Sequence, residues 1–260
     1  MKSKQMGMAG WLAVGLIAAA GLGGGSLSAA ESAAQGVAIK SGESIGFLGD
    51  SITAQGAGPR GYVSLVVVGL ATNGMAVKAY PAGISGHKSN QMLARLEKDV
   101  LSKKPTWMTV SCGVNDVWHG KNGVALPQYA SNMTAIVSQA QAAGIQVMIL
   151  TSTMIRETQT NSLNQQLIPY NDFLRTLAKE KKCLLADLGA DMQAAVAAGQ
   201  VAQKGNILTG DGVHMNVQGN RMMARGVLKA FGLSEAQLQL AEKAWDEIPV
   251  PAPKATQKAK

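Results

Sequence analysis

"IGFLGDSITAQG", residues 45–56, is the stretch on which the fold turns. Four residues suited to a buried strand run into Gly49, Asp50 and Ser51. Gly, Asp and Ser are turn formers, and a plain turn accounts for them. A second reading puts the Ser51 hydroxyl at the C-terminal end of a strand, displayed for chemistry. That reading requires a histidine base, an acid to orient it and oxyanion donors elsewhere in the chain.

Working outward, "MAVKAY" (75–80), "TWMTVSC" (106–112), "IQVMIL" (145–150) and "CLLADL" (183–188) join "SIGFLG" (44–49) as short, mostly apolar strands. Helical patterns lie at 61–72, 88–102, 127–143 and 163–181, with two more at 216–231 and 234–245. Gly74 and Gly144 stand where helices should end, and Ser234 with Gln237 where one should begin. Met92, Met133, Met222 and Met223 sit at helical spacings and read as core filler. Strands alternating with helices give an α/β domain whose parallel sheet is covered on both faces.

The two ends differ from the body. Lys2 and Lys4 precede an apolar run from Trp11 to Leu22, and Ser28-Ala29-Ala30 suits a cleavage site before Glu31. This is the layout of a secretory signal peptide over residues 1–30, with an uncleaved anchor as the competing reading. A secreted or periplasmic protein is therefore expected, with one domain over 31–248 and no stable membrane insertion after cleavage. Residues 249–260, rich in Pro, Ala and Lys, read as a disordered basic tail. The formal charge of +8 is concentrated at these ends, in Lys2, Lys4, Lys254, Lys258 and Lys260. A body so mildly basic gives no case for nucleic acid. Cys112 ends one predicted strand and Cys183 starts another, at opposite edges of the sheet. They are too far apart for the ~7 Å limit of a disulfide, so two free thiols are expected.

In open parallel sheets, ligands bind beyond the C-terminal ends of the strands. The first strand gives way to Gly49-Asp50-Ser51-Ile52-Thr53, the second to "PAGISGHKS" (81–89) and the third to "CGVNDVWHG" (112–120). Far downstream stands "TGDGVHMN" (209–216). The three histidines are His87, His119 and His214. Asp211 precedes His214 by three residues, and Gly212 lets the chain turn between them. The carboxylate can thus meet Nδ1 and leave Nε2 to face Ser51. Oxyanion donors are sought in the backbone N–H groups of Ser51 and Gly86 and the side-chain amide of Asn115.

"FLGDSIT", "GISGHKS", "GVNDVWHG" and "DGVH" resemble, in order and spacing, the four blocks of the SGNH (GDSL) hydrolase superfamily. The likeness runs from residue 44 to about 231. It implies a flavodoxin-like three-layer α/β/α sandwich with a five-stranded parallel sheet. By the same resemblance Ser51 is the nucleophile, Gly86 and Asn115 complete the oxyanion hole, and Asp211 and His214 are acid and base. One departure is Pro81, where many relatives carry Asn; it leaves Gly86 in place and puts the support of that loop in question.

The remaining residues keep two readings. Asp50 is read as structural, holding the serine turn through backbone N–H groups, and Asp116 as support for Asn115. Trp118 offers a substrate wall or an ordinary core contact, His87 a substrate contact, and His119 a loop hydrogen bond. No metal or cofactor is expected, since three scattered histidines match no zinc spacing. "GAGPRG" (56–61) fits a dinucleotide fingerprint but follows the strand too late and lacks the acid about 20 residues on; its glycines are read as shaping a loop over the site. The expected function is an exported serine esterase removing short acyl groups, acetyl first, from a small-molecule or saccharide ester. Lipase, lysophospholipase or thioesterase chemistry is the runner-up, and a non-catalytic glycan- or lipid-binding module the remote alternative.

Overall fold

The computed structural model describes residues 36–199 and 205–249. The expected signal peptide, and the expected tail from residue 250 on, lie outside the described residues. The sheet is built from β1 (Ser44–Gly49), β2 (Lys78–Gly83), β3 (Trp107–Ser111), β4 (Gln146–Leu150) and β5 (Leu184–Ala186), all parallel, in the order β2-β1-β3-β4-β5. This is the flavodoxin-like order, which reverses between β1 and β3 and opens a crevice at their C-terminal ends. β3 is buried throughout and β1 at every position but its first. Such unbroken apolar runs are what a sheet covered on both faces demands.

The helices are α1 (Ser51–Gly56), α2 (Tyr62–Thr72), α3 (Ser89–Asp99), α4 (Val114–Trp118), α5 (Leu126–Ala142), α6 (Ser162–Glu180), α7 (Leu188–Gly199), α8 (Val217–Ala230) and α9 (Glu235–Asp246). The last is opened by the Ser234–Gln237 capping box. One layer packs α2 against α8 and α9, and α7 against α8; the other packs α5 against α3 and α6. Gly69 allows the close approach in the first layer, because a Cβ there would lie 2.6 Å from Leu228 Cδ1. Trp245 is buried in the same layer and donates its indole N–H to the Leu65 carbonyl at 2.8 Å. In the second, Tyr129 stacks obliquely on Tyr170, ring centroids 4.8 Å apart. Met92, Met133 and Met223 are fully buried, and Met222 packs partly buried against the core.

The structure differs from the sequence reading at several elements. β2 begins at Lys78 rather than 75, so Pro81 lies inside the strand, opposite Phe47. Proline is tolerated there because β2 is an edge strand, where one N–H need not join the ladder. β5 stops at Ala186, not 188, because Asp187 is taken up sideways: its carboxylate accepts from Thr151 Oγ at 2.8 Å and from Arg175 at 2.8 and 3.0 Å. The chain then enters α7, an alanine-rich helix the sequence reading did not include. The turns after β1 and β3 are themselves short helices, α1 and α4. Cys112 and Cys183 are free thiols. Among the described residues no helix is long and apolar enough to cross a membrane.

Candidate active site

Ser51 is the first residue of α1, directly beyond the end of β1. Asp50 caps that helix, Oδ1 accepting the Ile52 N–H at 2.9 Å. The first N–H groups of a helix lack intrahelical acceptors, which leaves the Ser51 N–H available to a ligand. Asp50 is 2 % exposed, and burial raises its carboxyl to about 6 against the pull of the Ile52 N–H and His214.

Opposite Ser51, Thr209 and Met215 form an antiparallel bridge that closes a tight loop, and Gly212 turns it with φ +94. Asp211 divides its oxygens: Oδ1 accepts the N–H groups of Val213 (2.9 Å) and His214 (2.8 Å), while Oδ2 accepts from His214 Nδ1 at 2.6 Å. The bond from the imidazole, helped by the two backbone N–H groups, holds the Asp211 carboxyl down at about 2. An ionised Asp211 fixes the proton on Nδ1 and leaves Nε2 as an acceptor. Nε2 lies 2.9 Å from Ser51 Oγ. A hydroxyl, an imidazole and a carboxylate from positions 163 residues apart therefore stand in line, an arrangement able to pass the serine proton to the imidazole.

The donors converge from the other side. Gly86 occupies the turn after β2 with φ +76, which favours glycine, and its N–H has no acceptor among the described residues. Asn115, in α4, directs Nδ2 at Asp50 Oδ2 and the His87 carbonyl, both at 3.2 Å. Asp116 faces inward and ties this loop to the preceding one: it accepts from Ser89 N (3.0 Å), Ser89 Oγ (2.6 Å) and Cys112 Sγ (3.4 Å). His119 donates Nδ1–H to the Asn115 carbonyl at 2.8 Å.

Ser51, Asn115, Asp211 and His214 line an open cavity of about 290 Å³ whose remaining wall is Val114, Trp118, His119 and Val213. Trp118 is 40 % exposed, which settles its two readings against a core contact. His87 does not line this cavity. Its Nδ1 accepts from Arg95 Nε at 3.1 Å, and burial together with the Arg95 charge lowers the imidazole's pKa. The 56–61 loop is also absent from the wall; Gly61 lies against the backbone of Gly56, so the loop closes on itself instead of covering the site. Among the described residues no cluster of His, Cys, Asp or Glu could hold a metal ion.

Two further residues organise the site. Arg95, buried, donates to the carbonyls of Gly49 and Ala82 at 2.8 Å each, fastening the ends of β1 and β2 together under the Gly86 turn. Glu157, 2 % exposed, accepts from Ile207 N (2.6 Å), Leu208 N (2.9 Å) and Thr209 Oγ1 (2.6 Å). It moors the loop that carries Asp211 and His214. The motif reading covers the exits of the first three strands and not that of β4, "TSTMIRET" (151–158), where Glu157 is the sole acid. Glu157→Gln replaces an acceptor with a group that is half donor. Since misplacing a catalytic group by 1 Å can cost about 10²-fold, kcat should fall by about tenfold or more with KM little changed. A kcat within twofold of the parent would remove Glu157 from this role.

The sequence model of the GDSL-like Lipase/Acylhydrolase family matches residues 47–222, from β1 into α8. The chain belongs to that family. It is a carboxylic ester hydrolase with the family's α/β fold. An acetylxylan esterase of Geobacillus stearothermophilus is 28% identical over 220 residues, 75% of this chain and 96% of that protein. The crystal structure of an acetyl xylan esterase, AlAXEase, matches with TM-score 0.68 at 33% identity, covering 72% of this chain and 98% of its own. Two structures of catalytic mutants of the Geobacillus stearothermophilus enzyme, one altered at an aspartate and one at a histidine three positions on, match at 26% identity. Each has TM-score 0.68 and covers 76% of this chain and 97% of its own.

Proposed function

We propose that this esterase removes acetyl groups from an O-acetylated carbohydrate, with Ser51 as nucleophile, His214 as general base and acid, and Asp211 as the group that orients the imidazole. The observation that carries the reading is the 2.9 Å approach of His214 Nε2 to Ser51 Oγ at the floor of a small cavity. The Asp-x-x-His spacing, shared with the residues altered in the catalytic mutants of the acetylxylan esterase, supports it.

Ser51 Oγ attacks the ester carbonyl as its proton passes to Nε2, and Asp211 stabilises the imidazolium through Nδ1–H. The oxyanion is met by the N–H groups of Ser51 and Gly86 and by Asn115 Nδ2. The two existing bonds of that amide, at 3.2 Å, lie at the long end of the hydrogen-bond range, so the amide turns to the oxyanion at little cost. His214 returns the proton to the departing alcohol oxygen. Water, deprotonated in the same way, then cleaves the acyl-enzyme; acetate leaves and Ser51 recovers its hydrogen.

The small volume of the cavity, about 290 Å³ and lined on its apolar side by Val114, Val213 and Trp118, supports a short acyl group. The exposed Trp118 face suits a sugar ring, whose apolar face stacks on aromatic surfaces. The domain is taken to run from 31 to 248 and to act outside the cytoplasm, after removal of residues 1–30. Turnover of p-nitrophenyl esters should be greatest for acetate and fall by butyrate, and acetylated xylan should release acetate. A maximum at eight carbons or more would overturn the short-acyl assignment in favour of a lipase-type substrate.

A further inference from the structure

The sequence contains six arginines. Arg95, Arg175, Arg221 and Arg225 are each ion-paired with at least one carboxylate. The side chains of Arg60 and Arg156 have no hydrogen-bond or ion-pair partner among the described residues. Arg60 belongs to the 56–61 loop that closes on itself, whereas Arg156 adjoins the acid–base turn. Its N–H donates to the Gly212 carbonyl at 2.6 Å, and its Cγ lies 3.4 Å from where a Gly212 Cβ would be.

The backbone of Arg156 is unusual. Its φ is +59, a region disfavoured for long side chains. The other two described non-glycine residues with positive φ, Lys104 and Lys182, follow helix ends, where this conformation terminates the helix. No helix ends at Arg156. The conformation is held by the bond to Gly212 and by Asn164 Nδ2, which donates to the Arg156 carbonyl at 3.0 Å. Its effect is to send consecutive side chains apart, Glu157 into the protein and Arg156 into solvent. Strain fixed from both sides beside a reactive centre marks function.

The surrounding charge agrees. On the loops that leave β1 to β4 and on the 205–216 loop, the carboxylates Asp50, Asp116 and Glu157 are each 2 % exposed. Only Asp211 reaches solvent, and His214 engages it. The surface of the same loops carries Arg60, Lys88, Lys121 and Arg156. None of the four lines the cavity itself, but cations on the surrounding loops favour the approach of anions, and a free guanidinium matches a carboxylate in two parallel hydrogen bonds.

We propose that the natural ester is anionic, an O-acetylated saccharide with a carboxylate on or next to the acetylated ring, and that Arg156 receives that carboxylate. This rests on the esterase reading above for its chemistry. The test compares acetylated glucuronic acid with acetylated glucose at low salt. kcat/KM should favour the acid by about tenfold, the worth of a charge-assisted pair, and the preference should shrink at high salt. Arg156→Gln should bring the ratio within about twofold of one, and Arg156→Lys should keep part of it. Equal rates on both sugars, a preference unmoved in Arg156→Gln, or a stronger preference for acetylated glucose 6-phosphate would each overturn the proposal. Calorimetry of glucuronate against glucose binding to Ser51→Ala reads the same preference without turnover. If the acid binds more tightly there but no ester is hydrolysed by the parent, the esterase reading has failed and the anion subsite stands.

Discussion

Replacement of Ser51 by alanine is expected to lower kcat on p-nitrophenyl acetate by a factor on the order of 10⁵ to 10⁶, the loss seen when a serine triad is deprived of its nucleophile. With Oγ gone, His214 Nε2 faces no proton to accept, and the donors around the carbonyl can only assist attack by water. The fold should barely respond. Among the described residues, Ser51 makes one side-chain hydrogen bond, to His214, and α1 keeps its cap from Asp50, so the melting temperature should stay within a few degrees of the parent. A fluorophosphonate should label the parent at this residue and leave the variant unmodified. Retention of more than a few per cent of parental kcat by Ser51→Ala would end the case for this nucleophile.

The second large effect is expected at Asn115. Loss of one oxyanion donor typically costs about 10² to 10³ in kcat, and Asn115→Ala should do so with KM close to the parent's, because the donor acts on charge that develops only in the transition state. Asn115→Asp should be at least as damaging. It would set a second carboxylate against Asp50 Oδ2, which now accepts from the amide at 3.2 Å, and would present negative charge to an oxyanion. Steady-state kinetics separates the alternatives: a rise in KM with unchanged kcat would make Asn115 a substrate binder instead.

Much of this was legible in the sequence, for reasons that differ by element. β1, β3 and β4 are covered on both faces, so "GFLG", "WMTV" and "VMIL" stand out as unbroken apolar runs. β2 was framed three residues early because an edge strand, with Lys78 and Pro81 exposed, carries no such run. α7 was missed because small alanines give little periodicity. The approach of Asp211 to His214 is a local event, three residues and one glycine, and a local pattern predicts it. The mooring by Glu157 joins a side chain to backbone N–H groups 50 and 51 residues away, and backbone donors leave no signature in residue identity. His87, expected to face substrate on the strength of its place beside Gly86, is instead held by Arg95, a partner eight residues on in the next helix.

The margins of the sheet bear on how the chain survives at high concentration. One is β2, interrupted by Pro81, which has no N–H to offer an incoming strand. The other is β5, only three residues long, shorter than a stable intermolecular pairing requires. Neither margin offers a long, regular template for the growth of a fibril, so refolding from denaturant should return soluble protein where a sheet with long, regular borders would precipitate.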